Sequence, residues 1–454
     1  MRAVLFVENA TLGGKQYTIC RVEEAFDKDI VGIFELKCRS KHPTFKNLRH
    51  KTDDARRVQK AGELLYGKLA DDLSIQTLFR IMTGPGIYPL CIRSETFDAE
   101  QFPWEAMWSS IQQNFIALHG DVHGEGRWPI ARLAVPKCGS VEKTVAANEL
   151  RIAIVLAAAG NEQGAADEWT QICGALPTLG LPVKVLGLVS HDDVRTTMSQ
   201  HKNVEIKTVG SSAGQLIDAI LDHSPHIVHF FCHGKAMPGE RPYLGIVTRS
   251  GGSITLYSNE LSRLGKLRSL WLVVLNCCQG ATAASHLSSL AKNLVQDGVP
   301  AVVAMRESVA VEDANLFTGH FYPEMFHLLK KDILANVASH QSCSREVDAH
   351  LWAMAVQRAR RELSFHRGRR PEGCPEWTYP VVYVCRDKLR VIAENPQAPA
   401  AKLSHDQRNE SEAYLEYLRN FRESPAISVQ DGAADLRQAL DAEIHRMEQK
   451  VRDV

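Results

Sequence analysis

Along most of this chain, short uninterrupted apolar runs alternate with stretches whose apolar residues recur at helical spacing. Runs of the first kind occupy residues 4–7, 88–92, 151–157, 181–189, 204–209, 301–305 and 381–385. Continuous Val, Ile, Leu and Phe without polar alternation is what burial on both faces of a parallel sheet demands. Helical spacing is clearest at Val58, Ala61, Leu65 and Leu69, and at Leu287, Leu290, Ala291, Leu294 and Val295. From Arg151 the order is strand, helix (164–179), strand, helix (192–200), strand, helix (212–221). A hairpin-like pair flanks Ser250-Gly-Gly-Ser253. This alternation predicts an α/β fold with a mainly parallel sheet and helices on both faces.

The pattern divides the chain in three. Residues 1–145 read as one α/β unit, with a further helix expected over 106–118 and a soft boundary near 137–143. Residues 146–393 hold the regular strand–helix alternation. Residues 394–454 turn loop-like at Asn395-Pro-Gln-Ala-Pro399 and then offer two helix candidates. In the second candidate Leu436, Leu440, Ile444, Met447 and Val451 form a narrow stripe, expected to dock on its own domain because an exposed stripe invites aggregation.

Two apolar runs end differently from the others. His226-Ile-Val-His-Phe-Phe-Cys-His-Gly234 stops at an imidazole followed by glycine, and Trp271-Leu-Val-Val-Leu-Asn-Cys-Cys-Gln-Gly280 stops at a thiol with a glycine two residues on. Carboxyl ends of strands are where open α/β sheets bind ligands. An imidazole and a thiol delivered to one sheet edge suit nucleophilic catalysis, which makes His233 and Cys278 the candidate pair. Side chains alternate along a strand, so Cys277 and Cys278 are expected on opposite faces. Only the later one reaches the edge; Cys277 and Cys232 read as small buried hydrophobes.

Composition narrows the setting. Across 454 residues, Lys plus Arg and Asp plus Glu number 53 each, which argues against nucleic-acid binding through bulk charge and against a polybasic membrane surface. No apolar run reaches the ~18 residues a membrane span needs, and residues 1–8 read as a first strand rather than a signal peptide. Eleven cysteines, none in a Cys-x-x-Cys pair, suggest a reducing, cytoplasmic setting. No cofactor or metal is expected. His119 and His123 stand four apart beside Glu125, but their glycine-rich surroundings forbid the helix a zinc-protease motif requires. His229 lies ~13 Å of strand rise from His233, too far to share a metal, and reads as a core histidine with a hydrogen-bonded nitrogen. Arg367-Gly-Arg-Arg370 reads as a solvated basic turn.

The spacing of the pair completes a pattern. His233 precedes Cys278 by 45 positions, close to the spacing of about 50 in caspases, whose Gln-Ala-Cys-x-Gly signature Asn276-Cys-Cys-Gln-Gly280 partly matches. Asn276 also stands where an amidotransferase-type elbow needs glycine. His-Phe-Phe-Cys-His-Gly, Val-Val-Leu-Asn-Cys-Cys and Leu-Val-Gln-Asp-Gly-Val-Pro-Ala-Val-Val-Ala-Met together resemble the CHAT family of caspase-like proteases. So do the earlier Phe102-Pro-Trp-Glu105 and the late Trp377 with Val381 to Val384. The resemblance covers roughly residues 1–390. It implies a caspase-haemoglobinase fold for 146–393, a related non-catalytic unit for 1–145, and endopeptidase activity on protein substrates, often in bacterial antiviral defence and switched on by a protein partner.

On that reading Cys278 is the nucleophile and His233 the acid and base, with backbone N–H groups of Gly234 and Cys278 as the oxyanion hole. Asp313 is a candidate for ordering a substrate loop, or else the N-cap of the helix carrying Asn315, Leu316 and Phe317. The alternative is a catalytically silent module that kept the fold and assembles complexes through its tail.

Overall fold

The computed structural model describes residues 2–25, 30, 32–49, 54–83, 86–118, 127–137, 143–146, 149–235, 242–277, 284–331, 344–347, 350–385 and 389–394, with six single positions of the tail. Residues Met1–Glu394 form one compact unit and Asn395–Val454 another. In the second, Arg419 pairs with Glu448 at 2.6 Å. Of the tail stripe only Ile444 lies within the described residues.

A twelve-stranded sheet spans the first unit. In chain order its strands are β1 (Ala3–Leu12), β2 (Lys15–Ala25), β3 (Ile33–Glu35), β4 (Leu90–Ser94), β5 (Ile130–Ala134), β6 (Leu150–Leu156), β7 (Val183–Val189), β8 (Val204–Thr208), β9 (Ile227–Phe231), β10 (Leu272–Leu275), β11 (Ala301–Met305) and β12 (Pro380–Cys385). In space they run β8-β7-β6-β9-β10-β11-β12-β5-β4-β1-β2-β3. Neighbours are parallel except β11–β12, β1–β2 and β2–β3. The mixed α/β fold with a mainly parallel sheet is therefore as the sequence pattern predicts.

The helices flank both faces. One face packs against α1 (Arg57–Ala70), α2 (Leu73–Ile81), α3 (Glu162–Ala175), α4 (Asp192–Ser199), α7 (Val311–Leu329) and α8 (His350–Phe365). The other carries α5 (Ala213–His223) and α6 (Ala284–Gln296). Odd- and even-numbered residues of β9 divide between the two cores: Ile227 and Phe231 face the first, Val228, Phe230 and Cys232 the second. That is the period-two consequence of a pleated strand.

Residues 106–118 are not a helix. Their apolar residues fall in two blocks around a polar turn, and the blocks pair as Trp108–Ser109 with Asn114–Phe115 between short 3-10 turns. The strand β2 is not legible as an apolar run, because Lys15, Gln16, Thr18, Arg21, Glu23 and Glu24 interrupt it. Its hairpin with β1 turns on Gly13 and Gly14, whose φ values of +57° and +78° suit a type I′ turn.

Where the halves of the sheet meet, β12 lies beside β5 and a buried ion cluster fills the seam. Arg132 of β5 donates to Glu105 Oε1 and Oε2 at 3.0 and 2.8 Å and to the Glu100 backbone carbonyl at 2.7 Å. Glu100 also accepts from Tyr383 (2.9 Å) and Lys292 (2.8 Å). Burial pushes both carboxyls up, but the surrounding cations and hydrogen bonds together, Arg132 foremost, outweigh it and hold them below the ordinary carboxylate range. Groups shifted this way add stability above their unfolded pKa, near 4.3, which is lost as pH falls through the lower folded value. Arg132→Ala should cost about 3–5 kcal/mol by leaving two buried carboxylates unpaired. Urea midpoints measured against pH should fall on acidification, and the acid-dependent part should shrink in Glu105→Gln.

Candidate active site

The sheet changes direction between β6 and β9. From β6 the chain steps outward through β7 to β8, and from β9 it steps the other way through β10 to β11. Such a switch point leaves a crevice at the carboxyl ends of the two central strands, where ligands bind in open α/β sheets. His233 stands at this crevice. It opens a short strand, His233–Lys235, that joins a hairpin of Tyr243–Val247 and Ser253–Tyr257. The hairpin is the one expected around Ser250; the third strand is an addition. His233 is half-buried, and its Nε2 lies 3.0 Å from the carbonyl oxygen of Ala159, just beyond β6. Gly234 is buried and lies opposite Leu244.

The neighbouring strand β10 is held in register with β9, Ile227 opposite Leu272 through Phe230 opposite Leu275. The chain continues into Asn276 and Cys277, both buried. The Asn276 backbone N–H donates to the Phe230 carbonyl at 3.0 Å, extending the ladder past the last paired residue. Cys232 and Cys277 meet on the α5–α6 face, sulfur to sulfur at 3.7 Å. Both are buried, as expected of small hydrophobes. Cys278 lies outside the described residues, as do Gln279 and Gly280.

On the opposite face, beneath the strand ends, a polar network is sealed in the core. Glu168 of α3, His229 of β9, Asn276 and Thr318 of α7 are all fully buried. Glu168 Oε1 accepts from Asn276 Nδ2 at 2.7 Å and from the Thr318 hydroxyl at 2.6 Å. The same oxygen lies 3.0 Å from His229 Nε2, an ion-pair distance out of line for a hydrogen bond. Asn276 Nδ2 also reaches the Ala314 carbonyl and Thr318 Oγ1, each at 3.0 Å. A carboxylate and a carbonyl on one side demand a donor, which fixes the orientation of the amide. His229 Nδ1 lies 3.0 Å from the Tyr322 hydroxyl. Burial, and then the Glu168 charge, raises the Tyr322 pKa well above its usual value, so the phenol stays protonated beside the ring. His229 is thus a core histidine with a hydrogen-bonded nitrogen, as its spacing suggested. Gly164 lets α3 come this close, since a Cβ there would collide with Val311 of α7.

Glu168, Thr318 and Tyr322 were not singled out in the sequence. The available signal was Glu168 itself, a charged residue on the helix face that Ala165, Trp169 and Ile172 bury. Asp313 is not an N-cap. That position is Ala310, and Asp313 lies in the first turn of α7, buried and paired with Arg369 at 2.9 Å. The turn 367–370 is correspondingly not all solvated, because a buried carboxylate needs a partner. The His119–Glu125 segment lies outside the described residues. Among the described residues no group of three or more His, Cys, Asp or Glu is placed to hold a metal ion, and no helix is long and apolar enough to cross a membrane. An open groove of about 1030 Å³, lined by Lys15, Tyr17, Lys37, Arg39 and His42 among others, includes none of the candidate residues.

Removing the shared acceptor should be costly. Glu168→Leu leaves Asn276, Thr318 and His229 without their common partner, and a loss of about 3–5 kcal/mol is expected. Thr318→Val removes one neutral donor and should cost about 1–2 kcal/mol. Urea denaturation of the two variants, with an unchanged slope, measures both.

The chain was compared with known proteins. The CHAT domain model matches residues 59–357, about two thirds of the chain. No curated protein matches it. Solved structures that it resembles include the separase–securin complex of Saccharomyces cerevisiae, at 12% identity and a TM-score of 0.35, over 73% of this chain and 18% of that one. The chain thus spans under a fifth of the length of that relative. Matched over well more than half its length, the chain belongs to the CHAT-domain family.

Proposed function

We propose that the chain is a cysteine endopeptidase that cleaves protein substrates with His233 and Cys278, under the control of an activating protein partner as its family resemblance implies. The observation that carries this reading is the Cys232–Cys277 contact at 3.7 Å. These residues immediately precede the imidazole and the proposed nucleophile, so the two strands are level one residue short of the pair. The constant offset between β9 and β10, Ile227 with Leu272 through Phe230 with Leu275, equals the separation of 233 and 278. Strand alternation supports a common face for both functional side chains, the face of His229 and Asn276. Residues 1–145 contribute no group to this chemistry.

In the proposed reaction the Cys278 sulfur attacks the scissile carbonyl carbon. The proton from the thiol is held by His233 and passed to the departing amine, leaving a thioester. His233 then takes a proton from the water that hydrolyses it. Backbone N–H groups of Gly234 and Cys278 stabilise the oxyanion in both steps. The Ala159 carbonyl at His233 Nε2 orients the ring by accepting its N–H. In the neutral ring this leaves Nδ1 as the basic nitrogen.

Labelling by a peptide-like electrophile, with cleavage of a protein substrate where one is found, tests the assignment. Cys278→Ala should abolish both, His233→Ala should slow them at least about 100-fold, and Cys277→Ala should leave them near wild type. Equal labelling of wild type and Cys278→Ala would end the enzyme reading, whereas a dead Cys277→Ala would move the nucleophile by one residue.

A further inference from the structure

The contact between Cys232 and Cys277 is more than a marker of register. Buried thiols usually act as small inert hydrophobes. These two differ in facing each other at 3.7 Å across neighbouring parallel strands. They do so one residue before the crevice, at 0% and 2% exposure. Neighbouring strands lie about 4.8 Å apart, within the 4.4–6.8 Å that a disulfide requires between Cα atoms. A sulfenic acid formed on either sulfur already has its resolving thiol in contact, before further oxidation can make the change irreversible.

We propose that Cys232 and Cys277 form a two-electron thiol switch, in which a hydroperoxide converts the pair to a disulfide and the new bond displaces the strand ends that carry His233 and Cys278. In the first step one sulfur attacks the peroxide oxygen, gives a sulfenic acid and releases water. In the second the other thiol attacks that sulfur and expels a second water. Two thiols lose two electrons and two protons, and one hydrogen peroxide becomes two waters. The disulfide site stands on the observed contact alone, while its effect on reactivity rests on the dyad proposed above. Closing 3.7 Å to a bond of about 2.05 Å draws the strand ends together by up to roughly 1.6 Å. A displacement near 1 Å can cost about 10²-fold in a reaction that depends on alignment. In a reducing compartment such a bond is transient, as suits a sensor rather than a structural crosslink.

The experiment treats the full chain with hydrogen peroxide and maps disulfides by mass spectrometry of unreduced peptides. It also follows the rate at which iodoacetamide alkylates Cys278. A linked Cys232–Cys277 peptide pair is expected in wild type and equally in Cys278→Ser. Cys278 alkylation should fall about tenfold or more and recover with dithiothreitol. Cys232→Ala and Cys277→Ala should keep the reduced rate throughout. Absence of the linked pair in both wild type and Cys278→Ser overturns the site. Pairing of either cysteine with Cys278 instead, or a linked pair with unchanged alkylation, overturns the switch. Failure of the dyad reading is separately visible in reduced protein, where His233→Ala would alkylate at the wild-type rate while the disulfide map stayed the same.

Discussion

One buried carboxylate oxygen holds the centre of this fold together. Glu168 Oε1 takes hydrogen bonds from Asn276 and Thr318 and lies at ion-pair distance from His229. It therefore ties α3, β9, the end of β10 and α7 to a single point. A charge at 0% exposure is costly unless surrounded by donors. The donors must accordingly stay where they are, and so must the strands that carry them. The backbone ladder already sets the relative height of β9 and β10. The carboxylate adds a lateral constraint just below their ends, on the face proposed above for the His233 and Cys278 side chains.

The same device recurs farther along the sheet. Arg132 with Glu100 and Glu105 fills the seam between β12 and β5, where the two halves of the chain share one sheet. Each cluster replaces apolar packing with groups that tolerate only one arrangement. Between them the core is built from Val, Ile, Leu and aromatic side chains, which specify burial but hold position less strictly. The crevice beside β6 and β9 follows from topology, since helices leave the switch point in opposite directions. His233 enters it with its ring directed at the Ala159 carbonyl.

Much of this was legible because parallel strands make plain patterns. The runs 227–231 and 272–275 are uninterrupted and their burial is total. The 45-residue separation of His233 and Cys278 equals the register offset of β9 and β10, and the proposed pairing rests on that equality. Elsewhere the signals were weaker or of another kind. β2 mixes polar and apolar residues without a clean period, and Gly13-Gly14 is the hairpin signal that marks it. Residues 106–118 are apolar enough for a helix, but their clustering in two blocks favours a small hairpin. Glu168 and Asn276 are 108 positions apart, and no local period reports a contact of that range. The pairing of Asp313 with Arg369 escaped for the same reason, and it turned an expected cap and an expected solvated turn into one ion pair.

The central claim is spatial, that positions 233 and 278 meet at one rim, and disulfide trapping addresses it most directly. In a chain carrying His233→Cys together with Cys232→Ala and Cys277→Ala, mild oxidation of the native protein is followed by mass spectrometry of unreduced peptides. A bond between positions 233 and 278, which requires Cα atoms within about 7 Å of each other, is the expected result. A folded, oxidised chain in which those two positions never join would contradict the dyad.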